Sequence, residues 1–359
     1  MNDVEELKSY VGVHARGQRI ARYQEVLDRI RTDGSGPGSW VHEWVAAGQQ
    51  LERRGRHLEA SRHYLMARFP FVDGPDRKDA LDRAAASFER WSTGRDVSRL
   101  EVDVDGGRVG LWQSGLSPVD RRPLLLVMGG IVTVKEQWAP VLPVFRRMGM
   151  AAVALEMPGT GENPLRYGPE SWRMLSGVLD ALRGRADVAN TYALTLSFSG
   201  HLALRCAVDD PRIRGVVTAG APVAGFFTDR AWQRALPRVT VDALAHMAAT
   251  DPGEVLDSLA GCALTDAQLS GLDVPVRYIS SLRDEIIPPG DVARLRAHLR
   301  DLEVVEYDDV HGAPDHAVEN QLWCARSLLR MRGVRSLRGA VIGGLWRARR
   351  SRARLAGRR

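Results

Sequence analysis

The 359-residue chain has no apolar run of about 18 residues, so no membrane-spanning helix is expected. Its three cysteines, Cys206, Cys262 and Cys324, are too widely spaced for a disulfide framework or a zinc site. Metal-ligand spacings of His, Cys, Asp and Glu are also absent, so neither a metal nor a cofactor is expected. The run Pro158-Gly159-Thr160-Gly161-Glu162 is not G-x-G-x-x-G, and no Lys-Ser/Thr follows it. Dinucleotide and nucleotide binding therefore find no support there. The opening residues include Asp3, Glu5 and Glu6, which does not resemble a secretory signal. A cytosolic enzyme with reduced thiols is the simplest expectation.

Acidic residues are missing from one place in particular. From Arg330 to the end there are 11 Arg and no Asp or Glu. The whole chain carries a net charge of +6, but without those 11 Arg it has 39 basic against 44 acidic residues, a net of −5. The body is thus mildly acidic, and a nucleic-acid partner, which needs a basic face on the fold itself, is not expected. The basic tail, residues 331–359, reads first as a solvated C-terminal extension, because termini are often poorly ordered. The less favoured reading is a basic amphipathic helix, with Val341, Ile342, Leu345 and Trp346 among the Arg residues, that touches a membrane or a partner.

What is present divides at about residue 98. Residues 1–97 read as a helical module. Ile20, Tyr23, Val26, Leu27 and Ile30 follow helical spacing, as do Trp40, Trp44, Ala47 and Leu51. The breaks at Gly34–Gly38 and Asp73-Gly74-Pro75 punctuate the helices. Beyond it, Leu100–Val104 and Val109–Trp112 flank the turn Asp105-Gly106-Gly107, which predicts a hairpin. Short apolar runs then alternate with helical lengths: Leu124–Met128, Ala151–Leu155, Tyr192–Leu196, Gly215–Ala219, Val274–Ile279 and Glu303–Tyr307. This predicts an α/β fold with a mostly parallel central sheet over residues 98–330. The helical insertion at 223–270 precedes the last strands and is expected to cover their carboxyl ends, where ligands bind in open α/β sheets.

Ser197 lies in Thr195-Leu196-Ser197-Phe198-Ser199-Gly200, after a strand and before a helix. That is the context of a nucleophile elbow, whose tight turn needs small neighbours. The usual flanking glycines are replaced by Thr195 and Ser199, and Gly200 is a candidate for the close approach. Ser199 is the rival nucleophile, but His201 would then stand where a small residue is needed. A serine hydroxyl needs a base. In this fold the order is Ser, acid, His, and Asp284 and His311 each follow a predicted strand in that order. Glu285 is the alternative acid and His316 the alternative base. Oxyanion donors are expected from the N–H of Phe198 and from the loop Gly129-Gly130-Ile131, with Gly130 and Ile131 as candidates. Phe226, Phe227, Trp232 and His316 are candidate substrate-binding residues, and their aromatic character suggests a medium-sized, largely apolar small-molecule substrate. The remaining histidines read as surface or core groups, although His42 and His63 would face the site if the helical module covers it.

With these residues in view, the sequence resembles the FrsA-like α/β-hydrolases, a group that includes 2,6-dihydroxypseudooxynicotine hydrolase-like enzymes. The resemblance rests on Trp40, Trp44, Gly48, Ala60, Tyr64 and Ala67, on Gly129-Gly130 with Lys135-Glu136, and on Met157-Pro-Gly-Thr-Gly-Glu162. Leu196–Gly200, Asp210-Pro-Arg-Ile213, Asp284 with Pro288, and His311 complete it. It implies an α/β-hydrolase fold with an N-terminal helical cap, a Ser–Asp–His triad and a homodimer. It also implies a range of chemistry: ester hydrolysis, carbon–carbon cleavage beside a carbonyl, or elimination of acetate from an acylated polyketide-type intermediate in secondary metabolism. Thr195 and Ser199 depart from the family's usual elbow glycines.

Overall fold

The apolar runs pair into one eight-stranded sheet of order β1-β2-β4-β3-β5-β6-β7-β8. In the computed structural model, which describes residues 2–334 and 337–356, these strands are β1 Ser98–Val104, β2 Gly107–Ser114, β3 Pro123–Met128, β4 Ala151–Leu155, β5 Asp187–Thr195, β6 Ile213–Ala219, β7 Val276–Ser281 and β8 Leu302–Tyr307. The β1–β2 hairpin is antiparallel and joins β4 antiparallel, and every later pairing is parallel. Gly106, at φ +92, makes the hairpin turn.

The central strands are apolar at consecutive positions because both faces are covered. In β3, Leu124, Leu126 and Met128 enter the core on one face, and Leu125 and Val127 enter the core on the other. β4 divides in the same way, with Ala151, Val153 and Leu155 opposite Ala152 and Ala154. This is an α/β-hydrolase fold, and its parallel strands bring the segments after β3, β5, β6, β7 and β8 to one edge of the sheet.

A third core lies in the N-terminal helices, around Trp40, Trp44 and Tyr64. The helices Trp40–Arg53 and His57–Arg68 approach closely at Gly48, where an added Cβ would lie 2.5 Å from the Tyr64 ring. Filling such a contact costs about 1–3 kcal/mol. One element differs from the sequence expectation. The helical stretch anticipated at 20–30 is only Tyr23–Leu27, because Arg19 and Arg22 adopt left-handed φ of 57° and 56°. A longer helix precedes it, Val4–Gly17, with Leu7, Val11 and Ala15 buried. The Asp3 carboxylate caps it by accepting from Glu5 N and Glu6 N at 2.8 and 3.2 Å, which satisfies two of its otherwise unpaired N–H groups.

Residues 223–270 hold short helices, the longest being Arg238–Ala248. Val239 N donates to Glu6 Oε1 at 3.2 Å, and the His246 ring stacks on Phe71 at 4.8 Å, so this segment meets the N-terminal region. The basic C-terminal run also differs from the solvated extension expected. It forms the helix Leu337–Ala356 and packs on Ala317–Met331. Its anchor is Trp346, which joins the second core and is covered by the Arg326 and Arg350 guanidinium groups at 5.1 and 5.3 Å. Among the described residues no helix is long and apolar enough to cross a membrane.

Candidate active site

Ser197 sits between the end of β5 and the helix Phe198–Asp209, at φ 59° and ψ −132°. A non-glycine residue there is strained by roughly 1–3 kcal/mol. Its surroundings hold it in place: Ser197 N donates to Ala219 O at 2.7 Å and Leu196 N to Met128 O at 2.9 Å. The glycine-poor elbow is explained by two neighbours. Ser199 is fully buried, and its hydroxyl lies 3.0 Å from Met128 O and 2.9 Å from Leu196 O, so it bridges the ends of β3 and β5 rather than facing a substrate. Gly200 supplies the close approach, since a Cβ there would overlap the Thr218 hydroxyl and lie 2.8 Å from the Ala221 Cβ. Thr195 is buried at the strand end.

The loops after β7 and β8 bring Asp284 and His311 to this serine. His311 Nε2 is 2.9 Å from Ser197 Oγ, and Nδ1 is 2.9 and 3.0 Å from the two Asp284 oxygens. Asp284 Oδ1 also accepts from Ile286 N at 3.0 Å and Ile287 N at 2.8 Å, which fixes the carboxylate in place. With Nδ1–H donating to Asp284, Nε2 is left to accept the serine proton. Burial pulls the His311 pKa down, but the Asp284 charge and hydrogen bond, with the Glu285 charge, outweigh it, and the net shift is upward. Glu285, the alternative acid, takes a different place: its Oε2 accepts from His311 N at 3.0 Å. Gly220 is required beside this pair, because at φ +57 a Cβ would lie 2.6 Å from His311 Cε1.

The loop after β3 faces Ser197. A Cβ on Gly130 would come within 3.0 Å of the Ser197 Cβ, so glycine lets this backbone lie against the nucleophile. Thr133 donates to Gly130 O through its N–H at 3.2 Å and its hydroxyl at 3.0 Å, which fixes the peptide that carries the Ile131 N–H. Thr160 Oγ1 donates to Ile131 O at 3.2 Å and Arg68 Nη2 donates to Val132 O at 3.0 Å. Among the described residues no protein acceptor takes the N–H of Gly130, Ile131 or Phe198. These are donors free for an oxyanion.

Beneath the loop, the fully buried Lys135 ammonium contacts Glu156 at 3.0 Å, Glu162 at 2.7 Å and Glu136 at 3.3 Å. Desolvation would lower the Lys135 pKa, but the three carboxylates hold it raised. Burial pushes the Glu156 carboxyl up despite the nearby ammonium. Lys135 N also donates to Glu156 Oε2 at 3.3 Å and Glu162 N to Glu156 Oε1 at 2.8 Å. The cluster therefore ties the loop after β3 to the loop after β4, and the glycine-rich run 158–162 has a structural use.

The candidate substrate residues fare differently. Phe226 and Phe227 are buried, and both pack edge-on against Phe198, at 4.9 and 6.5 Å, inside the core. Trp232 is half-buried, and its indole N–H donates to Ile286 O at 2.8 Å, bracing the loop that carries Asp284. His316 pairs with Asp309 at 3.0 Å and stacks on Tyr307 at 4.3 Å. His42 is exposed, and His63 is buried against Trp44 with Nδ1 on Glu59 O. The residues missed are on the helix Val4–Gly17. Tyr10 reaches Glu285 Oε1 at 3.5 Å, and the His14 ring, one turn on, lies 5.4 Å from the Phe69 ring. Asp3 and the Leu7, Val11, Ala15 spacing were the available signal for that helix.

A surface hollow of about 570 Å³ is lined by Asp103, Trp172 and Asp210, at the opposite end of the helix Phe198–Asp209 from Ser197. It is separate from the serine site. Among the described residues no group of three or more His, Cys, Asp or Glu is placed to hold a metal.

No protein-family model matches the chain. It is similar to Esterase FrsA of Photobacterium profundum, at 23% identity over 311 residues, 78% of this chain and 73% of that protein. Among solved structures, AbyA5 wild type is 50% identical and superposes with a TM-score of 0.94, over 97% of this chain and 99% of that chain. A 2,6-dihydroxy-pseudo-oxynicotine hydrolase superposes with a TM-score of 0.70 at 19% identity, over 88% of this chain and 94% of that chain, a likeness of fold alone.

Proposed function

The chain belongs to the FrsA-like α/β-hydrolase family, and from that premise we propose that it is a serine-dependent enzyme cleaving an ester or activated carbonyl. The observation that carries this reading is the unbroken hydrogen-bonded line from Asp284 through His311 to Ser197. His311 Nε2 takes the hydroxyl proton as Ser197 Oγ adds to the carbonyl carbon. The developing oxyanion accepts from the Ile131 and Phe198 N–H groups, with Gly130 N–H adjacent. The proton then passes from His311 to the leaving oxygen, the acyl group stays on Ser197, and water releases it by the reverse sequence. Asp284 keeps the imidazole oriented and balances its transient charge. Arg68 spends its guanidinium on the carbonyls of Pro70 and Val132, and Lys135 its ammonium on three carboxylates, so neither of these buried cations is offered to a substrate carboxylate. This favours an uncharged, largely apolar metabolite, and the family resemblance favours one from secondary metabolism.

A second reading is elimination of a carboxylate from an acylated intermediate. The observation in its favour is the elbow itself, where Thr195 and Ser199 stand in place of the usual glycines. In that case a base removes the proton on the carbon beside a carbonyl, the C–H pair forms a C=C bond, and the carboxylate leaves with the C–O pair. Turnover in heavy-oxygen water separates the two: hydrolysis puts solvent oxygen into the released acid, and elimination does not. For the leading reading, a fluorophosphonate should label Ser197 in active protein and fail on Ser197→Ala. Active protein left unlabelled refutes the covalent route.

A further inference from the structure

Arg68 ends the helix His57–Arg68 in the N-terminal module and is 1% exposed. Among the described residues it pairs with no carboxylate. Nη1 donates to Pro70 O at 2.9 Å, Nη2 donates to Val132 O at 3.0 Å, and Nε has no acceptor. Burial pulls its pKa down to about 10, opposed by the charges of Glu156 and Glu136, so the group is still a cation at neutral pH. A charge held away from water without a counter-ion is costly, and carbonyl dipoles alone offset only part of that cost.

The Val132 carbonyl is the start of a relay. It shares a peptide unit with the N–H of Thr133. Thr133 N donates to Gly130 O at 3.2 Å, and the Thr133 hydroxyl doubles that contact at 3.0 Å. Gly130 O in turn shares a peptide unit with the N–H of Ile131. Two peptides therefore stand in series between the guanidinium and a donor left free beside Ser197. A positive charge at one end of such a chain draws electron density along it, and each N–H becomes a better donor than it would be alone. The same loop is gripped by packing. Val134 is fully buried in the core of the N-terminal helices, with Trp40 and Tyr64. At its other end Gly130 lies against the nucleophile, where an added Cβ would be 3.0 Å from the Ser197 Cβ.

We propose that Arg68 is a positioning residue for the oxyanion donors: it holds the loop after β3 against Ser197 and passes its charge to the Ile131 N–H through the Val132–Thr133 and Gly130–Ile131 peptides. This rests on the reading of Ser197 as the nucleophile. It adds that the N-terminal module completes the reacting centre and does more than cover it. An arginine suits the place, because its planar fork presents two N–H groups in fixed directions, one to Pro70 O in the module and one to Val132 O in the loop. The benefit appears as negative charge develops on the substrate oxygen, so it belongs to the transition state and leaves ground-state binding almost untouched.

The test uses the full chain with p-nitrophenyl acetate as substrate and phenylboronic acid as inhibitor, whose boron takes up the serine oxygen as an anionic tetrahedral adduct. Arg68→Met keeps much of the volume and removes the charge and both donors. It is expected to lower kcat by about 10²-fold, the effect of displacing a catalytic group by about 1 Å, with KM within about three-fold. Affinity for the boronic acid should fall by a similar factor. Methylguanidinium should restore much of the rate to Arg68→Ala. Arg68→Lys keeps a cation, but one that loses its proton more readily when buried, so its kcat should fall on the alkaline side where the unmodified enzyme holds steady. Ser61→Ala is the control for module stability. It deletes a buried bond from the same helix to Ala84 O, 2.9 Å long, and should lower Tm while kcat stays unchanged. A folded Arg68→Met with full activity, a kcat loss without a matching loss of boronic acid affinity, no rescue by methylguanidinium, or an equal kcat loss in Ser61→Ala overturns the assignment. If Arg68→Met does not fold, Arg68→Lys decides, and the absence of its alkaline fall overturns it. Turnover by the unmodified chain that survives Ser197→Ala removes the nucleophile reading itself. Ser197-dependent turnover with a fully active Arg68→Met removes only the role of Arg68.

Discussion

Gly220→Ala puts the triad geometry to a quantitative test without touching a triad residue. Gly220 follows β6 at φ +57, and a Cβ built there lies 2.6 Å from His311 Cε1, 2.9 Å from Nδ1 and 3.3 Å from Asp284 Oδ2. Ordinary carbon contacts begin at about 3.5 Å, so the ring must retreat by about 1 Å. A shift of that size in a catalytic group costs about 10²-fold in rate. The left-handed conformation adds about 1–2 kcal/mol of strain. That corresponds to a fall of a few degrees in Tm for a chain of this length. A matched control is Gly55→Ala, at φ +70 with nothing within 4 Å of the added carbon. It carries the same conformational strain with no steric conflict. The assay is kcat on p-nitrophenyl acetate together with a thermal melt of each variant. Gly220→Ala should lose activity far beyond Gly55→Ala at similar Tm. Matching activities for the two variants would refute the placement of His311 against this turn.

Three further outcomes follow from the same structure. Because Asp284 and Glu285 outweigh burial at His311, its pKa is raised, and catalysis needs the neutral ring. The pH profile of kcat/KM should therefore fall on the acid side through a value above the ordinary 6.5, and an acid limb at or below that value contradicts the assignment. Ser199→Ala removes a buried hydroxyl that bridges Met128 O and Leu196 O, and should cost about 1–3 kcal/mol in urea unfolding while Ser197 is still labelled by a fluorophosphonate. Lys135→Met strands Glu136 and Glu156 without their buried cation and should cost about 3–5 kcal/mol. The Glu156 carboxyl, which burial already pushes up, favours the fold only while protonated once the cation is gone, so that loss should grow as pH rises, as measured by urea midpoints across a pH series.

The strands were readable because a sheet buried on both faces demands continuous apolar runs. β3 and β4 occupy the stretches where Leu124–Met128 and Ala151–Leu155 stand in the sequence. The order Ser197, Asp284, His311 was readable for a related reason: each residue follows a strand of a parallel sheet, and parallel strands deliver their following loops to one edge. The unusual elbow yielded less. Nothing local says that Ser199 turns inward onto two carbonyls or that Gly200 meets Thr218, since both partners lie on other strands or their ends. Phe226 and Phe227 show the limit of residue type as a guide. An aromatic ring serves equally as a ligand contact or as packing, and here both rings close on Phe198 behind the nucleophile. The Arg-rich tail reads as solvated by charge, yet its helix packs on the preceding one, with Trp346 against the second core and beside the Arg326 guanidinium.

The N-terminal helix sets the sharpest boundary between what a sequence carries and what only the fold supplies. Its existence was encoded locally, in the Asp3 cap and the buried Leu7, Val11 and Ala15. Its role was not, because Tyr10 and Glu285 are 275 residues apart and no periodicity spans that interval. That contact forms only once the helical region has packed against the loops that follow β7 and β8. Short motifs around Ser197 therefore specify the bond-breaking machinery, which any acyl ester would engage. Selection among esters falls to side chains without such motifs, which reach the site only through the packing of segments distant in the chain.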